Sequence, residues 1–284
     1  MTTQTLIFHG DDLKTAEKIT LNLKGELESR KKHFRVHTKI NFEIENLRAM
    51  NIEDINIFDR SFDYDDIKLM VSDMDSTLIS IETIDEVARE AGLSNEVSLI
   101  TEEAMQGHLD FSESFKKRLS ILKGVRIESF NEVYQNKLKL NPGARELINY
   151  FKSNNIKTAL VSGGINYFAD RVKKQLGIDT FRANEVEIKN EALTGRVFGH
   201  VIDAKAKAKY ISELCGHYQL DPNQVIAIGD GANDLEMMKL AGLSVAYHGK
   251  PILKKNCNIQ INYGGLDSLI DFFDQSLIKK YVFS

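Results

Sequence analysis

Short apolar runs recur along this chain, and stretches with helical spacing separate them. Four of the runs end in small or polar residues: KLMVS at 68–72, KTALVS at 157–162, VIAIGD at 225–230 and LSVAY at 243–247. Strands that alternate with helices favour an α/β fold with a doubly wound, mostly parallel sheet. In such sheets the functional groups lie at the carboxyl ends of the strands.

Two segments depart from this alternation. Residues 82–139 show helical patterns only, and we predict that they form a helical cap over the active end of the sheet. Residues 1–64 are polar and charge-rich, and we predict a small N-terminal α/β module with a regulatory or dimerisation role. The main core is predicted to comprise 65–81 and 140–284, in which NEVEIKNEALTGRV at 184–197 is predicted to form a hairpin.

Composition excludes several classes of partner. The 284 residues include 37 basic and 41 acidic side chains, a net charge of −4, so no basic surplus favours nucleic acid or an anionic membrane. No apolar run approaches the roughly 20 residues of a membrane span, and the N-terminus does not resemble a signal peptide. Cys215 and Cys257 lack metal or redox spacing. We therefore predict a cytoplasmic protein with no nucleic-acid or membrane partner.

Polar residues at the predicted strand ends form a chemically coherent set. It consists of Asp73 and Asp75, Ser162 with two glycines, Lys207 at a helix start, and Asp230, Asn233 and Asp234. A carboxylate can attack phosphorus and form an aspartyl-phosphate, and carboxylates with a hard cation make a Mg²⁺ site. A hydroxyl, backbone N–H groups and one lysine can hold phosphoryl oxygens. The set suits phosphoryl transfer.

These motifs resemble those of the haloacid dehalogenase-like hydrolases: DMDST at 73–77, SGG at 162–164, Lys207 and GDGAND at 229–234. The cap stretches IETIDEVAREAG and TEEAMQGHLDFSESFKKRLSILKG are similar to those of the phosphoserine phosphatases within that superfamily. The resemblance covers about residues 66–270. It implies a haloacid dehalogenase-like catalytic core and Mg²⁺-dependent hydrolysis of a small-molecule substrate. That substrate would be O-phospho-L-serine, cleaved through an aspartyl-phosphate in the last step of serine biosynthesis.

The resemblance also implies roles for the catalytic and metal-binding residues. Asp73 would be the nucleophile. Asp75 would protonate the leaving seryl oxygen and then act as base for the hydrolytic water. Mg²⁺ would be bound by Asp73, the backbone carbonyl of Asp75 and Asp230. Asp234 would support the metal-bound waters and Lys207.

Substrate recognition follows in the same way from the resemblance. Ser162, Gly163 and Lys207 would bind the phosphoryl group, with help from Asn233. Glu82 would bind the substrate ammonium, and Arg118 would bind the substrate carboxylate, which an arginine can hold with two hydrogen bonds.

Alternatives remain open at the level of sequence. Glu82 and Arg118 would serve any α-amino acid phosphate, so phosphohomoserine or phosphothreonine are competing substrates. Lys207 has lysines on both sides at 205 and 209, and Arg118 follows two lysines, so either could be a solvated surface residue. A fragment of an ion-pumping ATPase and a non-catalytic binding protein fit less well. The N-terminal module is short for a complete ACT domain, and we predict an interaction or homodimer role for it.

Overall fold

The computed structural model describes residues 3–49, 54–105 and 108–282 and arranges them around two sheets. The first is antiparallel, in the order β12-β2-β3-β1-β4. Its strands are β1 (Gln4–His9), β2 (Glu26–Ser29), β3 (His33–Thr38), β4 (Ile55–Ile57) and β12 (Lys279–Val282). Helix α1 (Leu13–Asn22) covers one face, where Leu6, Phe8 and Val36 pack with Ala16. A short α2 (Ile44–Ala49) precedes β4.

The second sheet has seven strands in the order β11-β10-β9-β5-β6-β7-β8. Its strands are β5 (Leu69–Ser72), β6 (Lys157–Ile165), β7 (Thr180–Lys189), β8 (Ala192–Phe198), β9 (Val225–Gly229), β10 (Leu243–Tyr247) and β11 (Ile259–Ile261). All neighbours are parallel except β8, which pairs antiparallel with β7. The mostly parallel sheet and the hairpin at 184–197 are both confirmed.

Helices bury both faces of this sheet. On one face lie α7 (Ala144–Ser153) and α8 (Asn166–Leu176), and on the other lie α9 (Ala204–Tyr218), α10 (Leu235–Leu240) and α11 (Pro251–Lys254). Central strand β5 shows the consequence, because Met70 belongs to one core whereas Leu69 and Val71 belong to the other. This double burial explains the continuous apolar run in the sequence. Within the described ranges, no helix has both the length and the apolarity needed to cross a membrane.

Between β5 and α7 the described residues form α3 (Thr83–Glu90), α4 (Ser94–Met105), α5 (Phe111–Ile121) and α6 (Ile127–Glu132), and a π-helix (Val133–Lys137) continues α6. A capping box starts α5, in which the Glu113 backbone N–H donates to Asp110 Oδ1 over 2.8 Å. The loop after α5 is hydrogen-bonded to the hairpin of β7 and β8, because the Gly124 N–H donates to the Leu193 carbonyl over 2.8 Å. The hairpin therefore holds this helical segment against the main sheet.

The last strand does not follow the predicted division of the chain. We expected residues 140–284 to belong entirely to the main core, but β12 pairs with β2 in the N-terminal sheet, where Lys279 faces Ser29. The unpaired edge of β2 presents backbone groups that another strand can satisfy, and the C-terminal strand supplies them. The boundary is corrected accordingly, and the remainder of the three-part division stays a prediction.

Side chains of β4 and of Asp54, directly before it, join the two sheets. Asn56 Nδ2 donates to the Gln260 carbonyl over 2.9 Å, and Asn56 Oδ1 accepts from the Gln260 N–H over the same distance. Asp54 accepts three backbone N–H groups at 2.6, 3.1 and 2.9 Å, from Asn262, Tyr263 and Gly264. The N-terminal sheet is therefore attached to the edge of the main sheet by specific hydrogen bonds.

Candidate active site

A buried lysine links two carboxylates at the carboxyl edge of the main sheet. Asp73 directly follows β5, and its backbone N–H donates to the Ile228 carbonyl over 2.9 Å. Lys207 Nζ lies 2.8 Å from Asp73 Oδ1 and 2.8 Å from Asp234 Oδ1. Lys207 comes from the first turn of α9, which Asp203 caps, and its side chain is 0% exposed whereas that of Lys209 is 76% exposed. Lys207 is therefore the lysine that belongs to the site, and Lys209 is a solvated surface residue.

Three aspartates surround a space suited to a cation. Asp73, Asp230 and Asp234 each offer an oxygen within 4.8 Å of the others. Asp234 is already engaged, because Oδ1 meets Lys207 and Oδ2 accepts the N–H groups of Asp230 and Gly231 at 3.1 Å. Asp73 and Asp230 therefore have lone pairs left for a ligand. Hard carboxylate oxygens of this kind fit Mg²⁺.

The charges in this cluster are unbalanced. Burial raises the pKa of Asp73 well above its usual value; Lys207 counteracts part of that rise and Asp234 adds to it. Burial also raises the pKa of Asp230 to about 6, although Lys250 lies 3.7 Å away. Burial alone would lower the pKa of Lys207, but Asp234 and Asp73 raise it, so the ammonium persists. Excess negative charge of this kind would be relieved by a divalent cation.

Asp75 is held apart from this cluster. Its Oδ1 accepts the Thr83 N–H over 3.0 Å, and its Oδ2 accepts from Ser162 Oγ over 3.4 Å. Burial, and then the negative charge of Glu82, raise the pKa of Asp75 to about 7. A carboxyl group with that pKa is protonated in a substantial fraction of molecules near neutral pH and can serve as an acid.

The glycines at the end of β6 allow close approach from two sides. Ser162 Oγ accepts the Gly164 N–H over 2.8 Å. A Cβ on Gly164 would lie 2.5 Å from Asp75 Oδ2, and one on Gly163 would lie 2.4 Å from the Phe111 ring. Phe111 begins α5, so α5 reaches this end of the sheet. A side chain at Gly163 would displace Phe111, and one at Gly164 would displace Asp75.

Glu82 and Arg118 come from the helical segment. Glu82 precedes α3, is exposed and accepts from Ser76 Oγ over 2.8 Å. The Arg118 side chain is only 13% exposed, and its Nη1 lies 3.8 Å from Asp85 Oδ1. Neither Arg118 Nε nor Asp85 Oδ1, both buried, has a hydrogen-bond partner among the described residues. Arg118 is thus not a surface charge, and it has donors to spare.

The structure therefore brings most of the predicted set to one edge: Asp73, Asp75, Ser162, Gly163, Lys207, Asp230, Asn233 and Asp234. Asn233 is half-buried in the turn that joins β9 to α10. Burial is the main cause of the raised pKa of Asp75 and of Asp85; Arg118 opposes the rise at Asp85, and the negative charge of Glu82 adds to it at both residues. Arg118 pairs with Asp85 at 3.8 Å.

Two residues of the site were missed in the sequence. Asn184 on β7 is buried, donates from Nδ2 to the Gly163 carbonyl over 2.7 Å, and accepts the Ile202 N–H over 2.8 Å. No local pattern marks it, because its partners are distant in the chain. Asp85 did carry a signal, because it lies in the first turn of α3, three residues after Glu82.

The family's sequence model, described as haloacid dehalogenase-like hydrolase, matches residues 67–242. The chain belongs to the haloacid dehalogenase-like hydrolases. A phosphoserine phosphatase of Polaromonas sp. strain JS666 is 46% identical over 222 residues, which cover 76% of this chain and 94% of the relative. Within the superfamily, the chain therefore belongs with the phosphoserine phosphatases.

Solved structures agree with this placement. A haloacid dehalogenase family hydrolase of Salmonella enterica serovar Typhi is similar over 98% of this chain and 100% of its own, with a TM-score of 0.89 and 29% identity. A substrate-bound phosphoserine phosphatase complex is similar over 72% of this chain and 98% of its own, with a TM-score of 0.68 and 39% identity. The first likeness includes the N-terminal sheet.

Proposed function

We propose that this chain hydrolyses O-phospho-L-serine to L-serine and phosphate, the last step of serine biosynthesis. One observation carries the proposal: Asp73 lies beside a buried ammonium, whereas Asp75 is held separately with its pKa raised to about 7. A nucleophile and an acid are thereby distinguished within one short motif. The phosphoserine phosphatase relatives and the substrate-bound complex support the same reaction.

The chemistry follows from this division. Asp73 attacks phosphorus and forms an aspartyl-phosphate, while the bond to the seryl oxygen breaks. Asp75 gives its proton to that oxygen as serine leaves. Asp75, now ionised, takes a proton from the water that attacks the aspartyl-phosphate, and phosphate departs. Both carboxyl groups return to their starting states.

Four groups position the phosphoryl oxygens. Lys207 supplies a fixed positive charge, Ser162 a hydroxyl and Gly163 a backbone N–H, with Asn233 beside them in the next turn. Asn184 fixes the Gly163 carbonyl and so orients this loop. Donors held in place before the reaction need little reorganisation as negative charge moves during phosphoryl transfer.

Mg²⁺ would be held by Asp73, Asp230 and the backbone carbonyl of Asp75, with Asp234 fixing Lys207 and the turn. When bound, the ion supplies positive charge to the phosphoryl oxygens. The excess of carboxylates over ammonium groups supports such an ion.

Arg118 and Glu82 account for selection of an amino-acid substrate. The free donors of Arg118 suit a carboxylate, and the exposed carboxylate of Glu82 suits an ammonium group. Both address only the α-amino acid part. The competing candidates, phosphohomoserine and phosphothreonine, therefore differ from phosphoserine only in how their side chains fit beneath the helical segment.

A comparison of kcat/KM on phosphoserine, phosphothreonine, phosphohomoserine and p-nitrophenyl phosphate tests the proposal. We expect phosphoserine to be best. Arg118→Gln should lower kcat/KM for phosphoserine by about 100-fold through loss of charge-assisted hydrogen bonds and leave p-nitrophenyl phosphate unchanged. The matched control is Arg126→Gln, an exposed arginine of the same segment paired with Glu128. A preference for p-nitrophenyl phosphate would refute the substrate assignment.

A homodimer and a cytoplasmic location stay predictions from the sequence. Light scattering of the full chain is the direct test of the dimer, and a monomer mass would end that idea. Removal of residues 1–64 is a poor test, because it would leave β12 without its partner strand.

A further inference from the structure

A cavity of about 390 Å³, separate from the candidate active site, lies against the N-terminal sheet on the face opposite α1. Strand alternation puts Thr5 and Arg35 on this face, while Leu6 and Val36 pack towards α1. The segment after β4 and the chain before β12 complete the walls. None of the residues assigned above to phosphate, metal or substrate binding lines this cavity.

Two buried guanidinium groups in the lining have unused donors. Arg35 is 5% exposed, and its Nη2 donates to the carbonyls of Asp271 and Asp274 at 3.2 and 2.9 Å. Arg30 Nη1 donates to two further carbonyls. The Nε of each arginine is buried and has no partner among the described residues. A buried N–H without an acceptor costs about 1–3 kcal/mol, and both guanidinium groups place their positive charge in the wall of the cavity.

A third guanidinium stands at the mouth. Arg60 is exposed, its Nε donates to Thr5 Oγ1 over 2.8 Å, and its Nη2 donates to His37 Nδ1 over 2.8 Å. Burial lowers the pKa of His37, although Glu28 opposes this, so the ring accepts as a neutral imidazole. The Arg60 charge is therefore held in place by neutral groups.

The lining holds three carboxylates against its three guanidinium groups, but only one of these carboxylates, Glu28, is buried. Glu28 is shared by Arg30, by His37 and by Lys280, whose Nζ lies 3.0 Å from Glu28 Oε1. Asp63 and Asp65 are exposed. Positive charge within the cavity and acids at its outer edge favour a ligand with one anionic group over a polyanion.

Aromatic side chains form the remaining wall. Arg35 Cζ lies 4.3 Å from the centre of the Phe58 ring, which stacks on Tyr64 at 4.7 Å, and Phe62 adds a further partly buried ring. We propose that this cavity binds a small molecule with one oxyanion group, held by Arg30, Arg35 and Arg60, and an apolar part packed on Phe58 and Phe62. This site is independent of the proposed function.

Isothermal titration calorimetry of the full chain with benzoate and with phenylphosphonate tests the proposal. Saturable binding of benzoate indicates a carboxylate ligand, and binding of phenylphosphonate indicates a phosphate-like one. Arg60→Gln should weaken binding at least about tenfold by removal of charge-assisted hydrogen bonds. Arg126→Gln, an exposed arginine outside the cavity, should bind as the unaltered chain does. Ser162→Ala should also leave binding unchanged, because it alters only the phosphate site.

Thermal unfolding provides a second readout. A ligand that binds the folded chain raises Tm, so the bound probe should raise Tm of the unaltered chain and of Arg126→Gln, and raise it less for Arg60→Gln. The proposal is overturned if neither probe binds, if Arg60→Gln binds as well as the unaltered chain, or if Ser162→Ala abolishes binding.

Discussion

Two buried polar clusters of this molecule have opposite charge balances. At the edge of the main sheet, three aspartates lie close together, and two of them, Asp73 and Asp234, share the ammonium of Lys207. Where the N-terminal sheet meets the main core, the buried carboxylate of Asp271 faces His9 and His33; we call these three residues the junction cluster. His9 Nδ1 lies 2.8 Å and His33 Nδ1 3.3 Å from the two Asp271 oxygens.

The pKa shifts follow this difference. Burial raises the pKa of Asp73 and Asp230. Burial would also raise the pKa of Asp271, but the nearby rings of His33 and His9 overcome this and hold the pKa below its usual value. The junction cluster therefore favours the ionised state and stabilises the fold, whereas Asp73 and Asp230 are costly to ionise until a cation arrives. Such disfavoured charge is typical of functional sites.

Asp73→Asn should have the largest effect on activity. We expect kcat on phosphoserine to fall by at least about 10⁴-fold, as for loss of other catalytic nucleophiles. The free energy of unfolding should stay the same or rise, because one of three repelling carboxylates is neutralised. Phosphate release and urea denaturation measure both. Asp170→Asn, at an exposed acid paired with Lys174, is the control. A clear fall in the free energy of unfolding of Asp73→Asn would contradict the difference drawn between the two clusters.

Asp271→Asn should have the opposite effects: it should lower stability and leave activity unchanged. It removes the charge that His9 and His33 face, so we expect a loss of about 3 kcal/mol in the free energy of unfolding, with kcat unchanged in the folded protein. Asp274→Asn is the control, since Asp274 is more exposed and should lose less than about 1 kcal/mol. Equal losses in the two variants would mean that the junction cluster has no special role.

Asp85→Asn should have a smaller effect, limited to amino-acid substrates. Asp85 faces Arg118, so its neutralisation should loosen the guanidinium and raise KM for phosphoserine about tenfold, equivalent to about 1.4 kcal/mol. KM for p-nitrophenyl phosphate should not change. Glu86→Gln, at the neighbouring acid that pairs with Arg89, is the control. If KM rose equally for both substrates, the role of Asp85 would be to stabilise the helical segment and not to position Arg118.

The pH dependence of stability should show the smallest effect. The folded-state pKa of Asp271 lies below its usual value of 3.8. Its contribution is therefore fully present above the unfolded-state value and is lost as pH falls through the folded-state value. Urea denaturation from pH 6 downwards should show a steeper loss for the unaltered chain than for Asp271→Asn. Parallel curves would mean that Asp271 does not titrate abnormally.

The sequence predicted what depends on local pattern. Apolar runs that alternate with helical patterns predicted the mostly parallel sheet, and their polar ends predicted which side chains would meet. It did not predict that β12 joins β2, because pairing across some 250 residues leaves no trace in either four-residue segment. Asn184 was missed for a similar reason: its partners, Gly163 and Ile202, come from other parts of the chain.

Trapping of the phosphorylated enzyme tests the central claim most directly. Rapid acid quench during turnover of ³²P-labelled phosphoserine, followed by peptide mapping, locates the transferred group. We predict label on the peptide that contains Asp73, and its loss in Asp73→Asn. Turnover with the label on another residue, or an Asp73→Asn variant that still turns over and becomes labelled, would contradict the assignment of Asp73 as the nucleophile.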